Sequence, residues 1–230
     1  MIEPWFAIRR RLLSAALIAM AGLAALSNPP AQAASTQLAA GASERRVVLV
    51  VGDSLSAEYG IARDTGWVKL LEQRLASQNA GEYIVVNASI SGETTSGGRT
   101  RLPALLATHR PAVVVLELGA NDGLRGLPLD LMRNNLRAMI EASRAAGAKV
   151  LVVGIRIPPN YGRDYAERFF ATFGALARET KVALAPFLRD GIAEDLGRFQ
   201  ADRIHPNEQA QPKLLDNVWP HLRPLLSVRG

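Results

Sequence analysis

The 230-residue sequence contains no cysteine, which excludes disulfide bonds, thiolate nucleophiles, zinc-thiolate sites and iron-sulfur clusters. Aromatic residues are also few, at 6%, whereas 48% of the residues are hydrophobic and 21% are charged, as in a folded globular domain. Lys and Arg outnumber Asp and Glu by 27 to 21, but the basic residues are scattered and form no long run. We therefore expect no nucleic-acid partner.

The N-terminal segment lacks an apolar run long enough to span a bilayer, but it has the order of a secretory signal peptide. Arg9–Arg11 precede the apolar run Leu12–Leu26, which is shorter than the roughly 20 residues that a membrane-spanning helix needs. A proline pair and the small residues Ala31 and Ala33 follow, a pattern that signal peptidase cleaves. We predict a signal peptide at residues 1–33, cleavage after Ala33, and a periplasmic or secreted protein.

Two alternatives remain open for this segment. An uncleaved membrane anchor would need neither the proline pair nor the Ala31-x-Ala33 site, so we favour cleavage and expect no stable membrane anchor afterwards. Twin arginines followed by two leucines leave the twin-arginine export route open beside the general secretory route. Cleavage would remove three arginines and Glu3, leaving 197 residues with a formal net charge of +4 instead of +6. Residues 34–45 are then a short tether before a single domain at residues 46–230.

Beyond the tether, strand-like apolar runs alternate with helix-like patterns. Five short runs are rich in β-branched and apolar residues, which is typical of strands covered on both faces in a parallel sheet. They are Val47–Val51, Tyr83–Asn87, Val113–Leu118, Lys149–Ile155 and, more weakly, Lys181–Ala185. Alternation of strands and helices predicts right-handed crossovers and a three-layer α/β/α sandwich.

Helical spacing of apolar residues recurs between the predicted strands. The three clearest sets are Trp67, Leu70, Leu71 and Leu75; Leu131, Leu136, Met139 and Ile140; and Phe169, Phe170, Phe173 and Leu176. A last helix is predicted over about Glu208–Leu222, with Pro212 in its first turns. The sequence shows no internal repeat, and its length suits one domain, which we expect to be monomeric.

Four segments that follow predicted strands carry most of the chemically useful side chains. In a doubly wound sheet such segments meet at the carboxyl edge, where ligand sites form. The segments are Gly52–Ser56, Ser91–Thr94, Gly119–Asp122 and Asp202–Pro206. We therefore expect their side chains to form one site.

Ser54 follows the first predicted strand by a tight two-residue turn, which would present its hydroxyl at the sheet edge. A hydroxyl needs a base to become a nucleophile, and His205 is favoured because His109 and His221 fall near predicted helix ends. Asp202 stands three positions before His205, so one turn can bring its carboxylate to one ring nitrogen while the other faces Ser54. The pattern predicts a catalytic triad, although an Asp-x-x-His motif alone fits a surface turn equally well.

Two further residues could stabilise the oxyanion that forms when a serine attacks an acyl group. Gly92 has no side chain, so its N–H can approach a ligand closely, and Asn121 offers an amide donor that does not titrate. With the backbone N–H of Ser54 they make three donors. Taken singly, Gly92 fits a turn residue better than an oxyanion donor, and Asn121 fits an Asx-turn or a helix N-cap better. Their placement after successive strands favours an oxyanion hole.

The four segments, in this order, resemble the sequence blocks of the SGNH hydrolase superfamily, also called the GDSL esterases and lipases. Longer stretches at Val86–Thr94, Glu117–Gly126 and Ile204–Asn207 are similar to those of its bacterial thioesterase I, protease I and lysophospholipase group. The similarity extends over Val47–Leu226 and is more specific than a GDSL motif alone. Two modest departures are Glu93, where an aspartate is common in that group, and Ala120, where a second glycine is common.

The resemblance implies a fold, a site and a reaction. The fold is a five-stranded parallel sheet of flavodoxin-like order 2-1-3-4-5. Ser54 would be the nucleophile, Asp202 and His205 would complete the triad, and Ser54, Gly92 and Asn121 would form the oxyanion hole. The reaction would be hydrolysis of small acyl esters, thioesters or lysophospholipids through an acyl-enzyme, without a cofactor. Two alternatives are a carbohydrate acetyl esterase on the same fold and a non-catalytic secreted protein that binds an anion at helix N-termini.

A proline-containing segment after the fourth predicted strand is a candidate wall for an acyl-binding groove. Prolines hold a loop rigid, and Ile157, Pro158 and Tyr161 would present apolar surface there. A simple rigid connector fits the same residues equally well.

Several carboxylates have structural interpretations. Asp53 would bond backbone N–H groups in the serine turn rather than act as a second acid, because the triad already has its carboxylate. Glu117 lies in an apolar strand and would be either a buried, hydrogen-bonded carboxylate or the edge of a substrate groove, and we favour the first. Because Asp64, Asp122 and Glu93 lack metal-ligand spacing, we expect no metal site.

Overall fold

The structure is a computed structural model that describes residues 46–78 and 82–226. The predicted signal peptide at residues 1–33 and tether at residues 34–45 lie outside the described residues and remain predictions. In the part of the chain that the structure describes, no helix combines the length and apolar character needed to cross a membrane.

Five parallel strands form one sheet in the order β2-β1-β3-β4-β5, as the resemblance implied. They are β1 Arg46–Gly52, β2 Tyr83–Asn87, β3 Val113–Glu117, β4 Lys149–Val153 and β5 Ala183–Ala185. β1 lies between β2 and β3, and its last residues pair with Asn87 on one side and Glu117 on the other. Because all strands run the same way, the segments after them meet at one edge of the sheet.

Helices connect the strands and cover both faces of the sheet. They are α1 Trp67–Ser77, α2 Thr95–His109, α3 Ala120–Leu124, α4 Leu129–Ala145, α5 Arg163–Thr180 and α6 Gln211–Leu222. The last helix starts later than predicted because Glu208–Ala210 form a separate 3-10 turn, and Pro212 lies in the first turn of α6. Proline is accepted there because the first N–H groups of a helix have no intrahelical partner.

Alternate side chains of β1 enter two different cores. Val48 and Val50 pack with the buried faces of α1 and α6, whereas Val47, Leu49 and Val51 pack with α2, α4 and α5. Each such buried aliphatic side chain contributes about 1.5–3 kcal/mol relative to exposure. Burial on both faces explains the nearly continuous apolar run in this strand, and it confirms the predicted three-layer sandwich.

Two residues of the helical patterns are not fully buried, and the fifth strand is shorter than predicted. Leu131 is 46% exposed, because the buried face of α4 begins at Met132. Phe170 is only partly buried and lies under the guanidinium of Arg156, 3.7 Å from the ring centroid. Lys181 caps α5 in the left-handed conformation, so the fifth strand begins two residues later than predicted. The spacing of apolar residues therefore predicts the helices correctly, but it does not predict which of two adjacent apolar residues is buried.

At the ends of β4 and β5 the chain approaches itself closely. The N–H of Gly154 donates to the Ala185 carbonyl at 2.8 Å, and its carbonyl accepts from the N–H of Leu188 at 3.0 Å. A Cβ atom at position 154 would overlap the carbonyl oxygen of Pro186, so only glycine fits. This contact fixes the turn after β5 against the loop after β4, beside the segments singled out in the sequence.

Candidate active site

The turn from Asp202 to His205 orders a carboxylate against an imidazole. Asp202 Oδ1 accepts hydrogen bonds from the backbone N–H groups of Ile204 at 2.9 Å and His205 at 3.0 Å. Its Oδ2 lies 2.7 Å from His205 Nδ1. Because a carboxylate can only accept, we assign the imidazole proton to Nδ1, which leaves Nε2 free to accept.

Asp202 is held in its ionised form. Its partial burial raises the pKa, but hydrogen bonds from the His205 ring and from the N–H groups of His205 and Ile204 outweigh burial and lower the pKa of Asp202 to about 2. The carboxylate is therefore charged at any pH near neutrality. A charged partner stabilises an imidazolium and fixes the tautomer of the neutral ring.

Ser54 lies within reach of the second ring nitrogen. Its Oγ is 2.9 Å from His205 Nε2, although the two residues are 151 positions apart in the chain. Asp53 shapes the turn, since its carbonyl accepts from the N–H groups of Ser56 and Ala57 and its Oδ1 from that of Leu55 at 3.0 Å. The segment after Ser54 is a series of turns, and α1 starts only at residue 67. The structure thus brings together all three residues predicted as a triad.

Gly92 and Asn121 lie on neighbouring segments of the same edge. Gly92 is the third residue of a turn closed by a 3.1 Å hydrogen bond from the Glu93 N–H to the Ile90 carbonyl, and its φ of +79° favours glycine. Asn121 is the second residue of α3, and its Nδ2 donates to the Glu93 carbonyl at 2.9 Å. The two segments are therefore joined by the asparagine itself, which is neither an N-cap nor an Asx-turn residue.

Both N–H groups of the Asn121 side-chain amide are used in this structure. Besides the Glu93 carbonyl, Nδ2 donates to Asp53 Oδ2 at 3.3 Å. A side-chain amide has two N–H donors, so both are engaged. Any ligand oxygen that takes a hydrogen bond from Asn121 must replace one of these acceptors, and the longer bond to Asp53 is the weaker of the two.

Beneath the serine turn, Asp53 and Glu117 form a buried pair of carboxyl groups. Burial raises the pKa of Asp53 to about 7, against the lowering effect of its hydrogen bond from Leu55. Burial and the neighbouring Asp53 raise the pKa of Glu117 well above its usual range. Ser56 Oγ donates to Glu117 Oε2 at 2.7 Å, whereas Oε1 has no hydrogen-bond partner among the described residues. Glu117 is thus a buried, hydrogen-bonded carboxyl group and not the edge of a groove.

Sequence reasoning did not single out Tyr59 and Gln200, both of which contact the His205 turn. The ring of Tyr59, which is 50% exposed, lies 4.5 Å from the His205 ring, measured between centroids. Gln200 Nε2 donates to the carbonyls of Tyr59 at 2.8 Å and Pro206 at 3.2 Å, so it joins the serine loop to the histidine turn. Neither residue belongs to a recognisable motif, and only the fold brings them to the site.

A cavity of about 1250 Å³ lies at the ends of β4 and β5. Ile157 and Pro158 line it, but Ser54 and His205 do not, and Tyr161 lies outside its lining. Ile157 is mostly buried in the core, whereas Tyr161 is 43% exposed. The acyl-groove wall therefore stays a prediction. Among the residues that the structure describes, no group of three or more His, Asp or Glu side chains is placed to hold a metal ion.

Sequence comparison relates the chain to characterised hydrolases. Residues 50–211 match the model of the GDSL-like lipase/acylhydrolase family. Esterase TesA of Pseudomonas aeruginosa is 54% identical over 181 residues, which cover 79% of this chain and 90% of that protein. The Escherichia coli K12 protein named thioesterase 1/protease 1/lysophospholipase L1 is 43% identical over 180 residues, which cover 78% of this chain and 85% of its own.

A solved structure agrees with the fold. The psychrotrophic esterase EstA of a Pseudoalteromonas species, in a crystal structure described as inhibited by monoethylphosphonate, superposes with a TM-score of 0.75 at 41% identity. The match covers 79% of this chain and 98% of the esterase. The match to the family model, the identity with both relatives and the shared strand order agree with the resemblance seen in the sequence. The chain belongs to the GDSL-like lipase/acylhydrolase family of SGNH hydrolases.

Proposed function

We propose that the protein is an exported serine esterase that hydrolyses acyl esters and thioesters through an acyl-enzyme on Ser54. The observation that carries this proposal is the continuous contact from Asp202 through His205 to Ser54, with distances of 2.7 and 2.9 Å. Each separation is within hydrogen-bond range, which a base needs in order to take a proton directly from a nucleophile.

In the first step, Ser54 Oγ attacks the acyl carbonyl carbon while His205 Nε2 takes the hydroxyl proton. The new carbon–oxygen bond converts the carbonyl into a tetrahedral oxyanion, and Asp202 stabilises the imidazolium. His205 then gives the proton to the leaving oxygen or sulfur atom, and the bond from carbon to that atom breaks. Water then attacks the acyl carbon while His205 takes its proton. The bond from the acyl carbon to Ser54 Oγ breaks, His205 returns the proton to Oγ, and the acid is released.

The oxyanion would be bound by the backbone N–H groups of Ser54 and Gly92 and by the Asn121 amide. Donors fixed before the reaction stabilise the developing charge without reorganisation. Asn121 would exchange its 3.3 Å hydrogen bond to Asp53 for one to the oxyanion, while its 2.9 Å hydrogen bond to the Glu93 carbonyl keeps the side chain in place.

The relatives and the predicted signal peptide support the substrate class. The names of two relatives, an esterase and a thioesterase 1/protease 1/lysophospholipase L1, agree with ester and thioester cleavage. Export would separate the enzyme from cytosolic acyl-CoA, so lysophospholipids and other ester lipids of the cell envelope are the proposed substrates. Deletion of the gene should slow the turnover of these lipids, and unchanged turnover would argue against this assignment.

Labelling with a fluorophosphonate tests the mechanism, since such reagents modify activated serines. The protein should gain one adduct, Ser54→Ala should gain none, and Ser96→Ala, which removes an exposed serine of α2, should label like the parent. A folded parent protein that stays unlabelled would indicate a binding protein instead.

Acetylated sugars and p-nitrophenyl esters of longer chains then separate the two proposed kinds of esterase, because a carbohydrate acetyl esterase would cleave only acetyl esters.

A further inference from the structure

Arg189 lies in the turn after β5, next to the proposed site but outside every motif of the sequence. Its backbone is fixed from α6, because Asn217 Nδ2 donates to the carbonyls of Leu188 and Asp190, each at 2.8 Å. The Gly154 contact holds the same turn against the loop after β4. The side chain therefore projects from a rigid base.

The guanidinium of Arg189 joins two other segments. Its Nη2 donates to the carbonyl of Arg156, in the loop after β4, at 2.6 Å. Its Nη1 makes a long hydrogen bond of 3.4 Å to the carbonyl of Ile204, the residue directly before His205. A planar guanidinium with several fixed donors suits such a bridge better than a flexible ammonium group does. The Ile204 carbonyl is part of the peptide bond to His205, so this bridge ends directly beside the histidine.

The surroundings of the Arg189 guanidinium disfavour its positive charge. Burial lowers the pKa of Arg189, and its Nε is buried without a hydrogen-bond partner among the described residues. The charges of Glu117 and Asp53 oppose this effect, and the guanidinium in turn lowers the pKa of both carboxyl groups. An apolar side chain of similar length would fill the space without that penalty, so the guanidinium contributes through its donors and charge rather than through packing alone.

We infer that Arg189 is a positioning residue for His205: by holding the Ile204 carbonyl against the loop after β4, it keeps His205 Nε2 within reach of Ser54 Oγ. This inference rests on the proposed function. The residue touches neither Ser54 nor the imidazole in the structure, and it would act through the backbone of the histidine turn. Loss of the bridge should therefore slow the chemical step and leave substrate binding largely unchanged.

Three variants test this role. Arg189→Met removes the donors and the charge, and Arg189→Lys keeps the charge without the planar fork. Arg144→Met is the control, because Arg144 Nη1 also donates to a backbone carbonyl, that of Thr180 at 3.0 Å, between the ends of α4 and α5. Ester hydrolysis, fluorophosphonate labelling and the imidazole N–H proton resonance are measured well below each melting temperature.

For Arg189→Met we expect a kcat about 10- to 100-fold lower, because a displacement of the base on the order of 1 Å has that effect, with KM within about twofold of the parent. Labelling should slow in parallel, and the resonance of the His205 Nδ1 proton should broaden. Arg189→Lys should lie between Arg189→Met and the parent, while Arg144→Met should match the parent in all three measurements.

The inference is wrong if folded Arg189→Met keeps the kcat, labelling rate and sharp resonance of the parent. Should Arg189→Met not fold, parent-like kcat and labelling in Arg189→Lys overturn it instead. A parent protein that does not react with the fluorophosphonate contradicts the proposed function itself. A reactive parent with an equally reactive Arg189→Met contradicts only the role of Arg189.

Discussion

The buried carboxyl groups of Asp122 and Glu117, on neighbouring segments of the sheet edge, have very different hydrogen-bond partners. Asp122 accepts from the hydroxyl of Thr95 at 2.5 Å and from its N–H at 2.8 Å, so each carboxylate oxygen has a donor. Asn135 Nδ2 donates in turn to the Thr95 hydroxyl at 3.2 Å. Glu117 has donors on one oxygen only, and its neighbour is the second buried carboxyl group, Asp53. A fully hydrogen-bonded network stabilises a fold, whereas a buried pair of acids in which Glu117 Oε1 has no donor is unfavourable.

The contrast assigns different tasks to residues that look alike in the sequence. The Asp122 cluster, made of Thr95, Asp122 and Asn135, joins the start of α2 to α3 and α4. The Asp53 cluster, made of Asp53, Glu117 and Asn121, lies under Ser54. Substitutions in the first should change the free energy of unfolding, and substitutions in the second or in the triad should change the rate.

The largest effect is expected for Asp202→Asn. The amide would favour the wrong imidazole tautomer, because its Nδ2 cannot accept from His205 Nδ1, and kcat should fall on the order of 10⁴-fold. The melting temperature should change little, since the side chain is 39% exposed. Steady-state ester hydrolysis at pH 7, where the parent carboxylate is ionised, measures the change. A loss of less than about tenfold would remove Asp202 from the proposed triad.

Asn121→Ala and Asn135→Ala form a matched pair across the two clusters. Loss of an oxyanion donor should lower kcat by about 100- to 1,000-fold for Asn121→Ala. Asn135→Ala removes the same amide from the Asp122 cluster and should keep the parent kcat while lowering the melting temperature. Kinetics and thermal melts of both variants test this difference, and equal kinetic losses would contradict the division between the clusters.

Thr95→Val addresses the Asp122 cluster alone. It keeps the side-chain shape but removes the hydroxyl that donates to Asp122, leaving a buried carboxylate oxygen without a partner. The free energy of unfolding should fall by about 1–3 kcal/mol. Urea titration measures it, and kcat serves as the internal control. An unchanged urea midpoint would mean that the network contributes nothing net to folding.

The smallest effect is a slope in the pH dependence of stability. The pKa of Asp53 is about 7 in the folded protein against an ordinary value of 3.8, so the folded state binds this proton more tightly than the unfolded state. Stability should therefore fall as the pH rises from about 3.8 to about 7. Asp53→Asn should flatten this slope in urea titrations across that range. A slope identical to that of the parent protein would show that Asp53 does not titrate there.

Much of the architecture could be predicted because the relevant signals are local. The apolar runs identified all five strands, and the spacing of Asp202 and His205 anticipated a turn that the structure shows. Helix α2 was not among the patterned helices, since it contains Gly97, Gly98 and Pro103 and buries few large side chains. Its start is defined instead by Thr94, whose hydroxyl accepts from the Gly97 N–H at 3.4 Å, and by packing against α4.

The non-local part of the site could not be predicted from spacing. Asp53 and Glu117 meet only because β1 and β3 pair in a register that places Gly52 opposite Glu117. Arg189 reaches the histidine turn only because two strand ends approach at Gly154. The full use of the Asn121 amide depends on where the Glu93 carbonyl and the Asp53 carboxyl group point. These are properties of strand register and side-chain direction, which a single sequence does not encode in any short window.

The engaged amide of Asn121 has a consequence for how inhibitors should be judged. In the proposed oxyanion hole, Asp53 Oδ2 already accepts a hydrogen bond from Asn121, so it would compete for that donor with any mimic of the tetrahedral intermediate. An apparent dissociation constant then combines the intrinsic affinity with the fraction of molecules in which that internal competitor has moved away. A substitution of Asp53 that weakens its hydrogen bond from Asn121 should lower the dissociation constant of such mimics more than that of the uncharged ester.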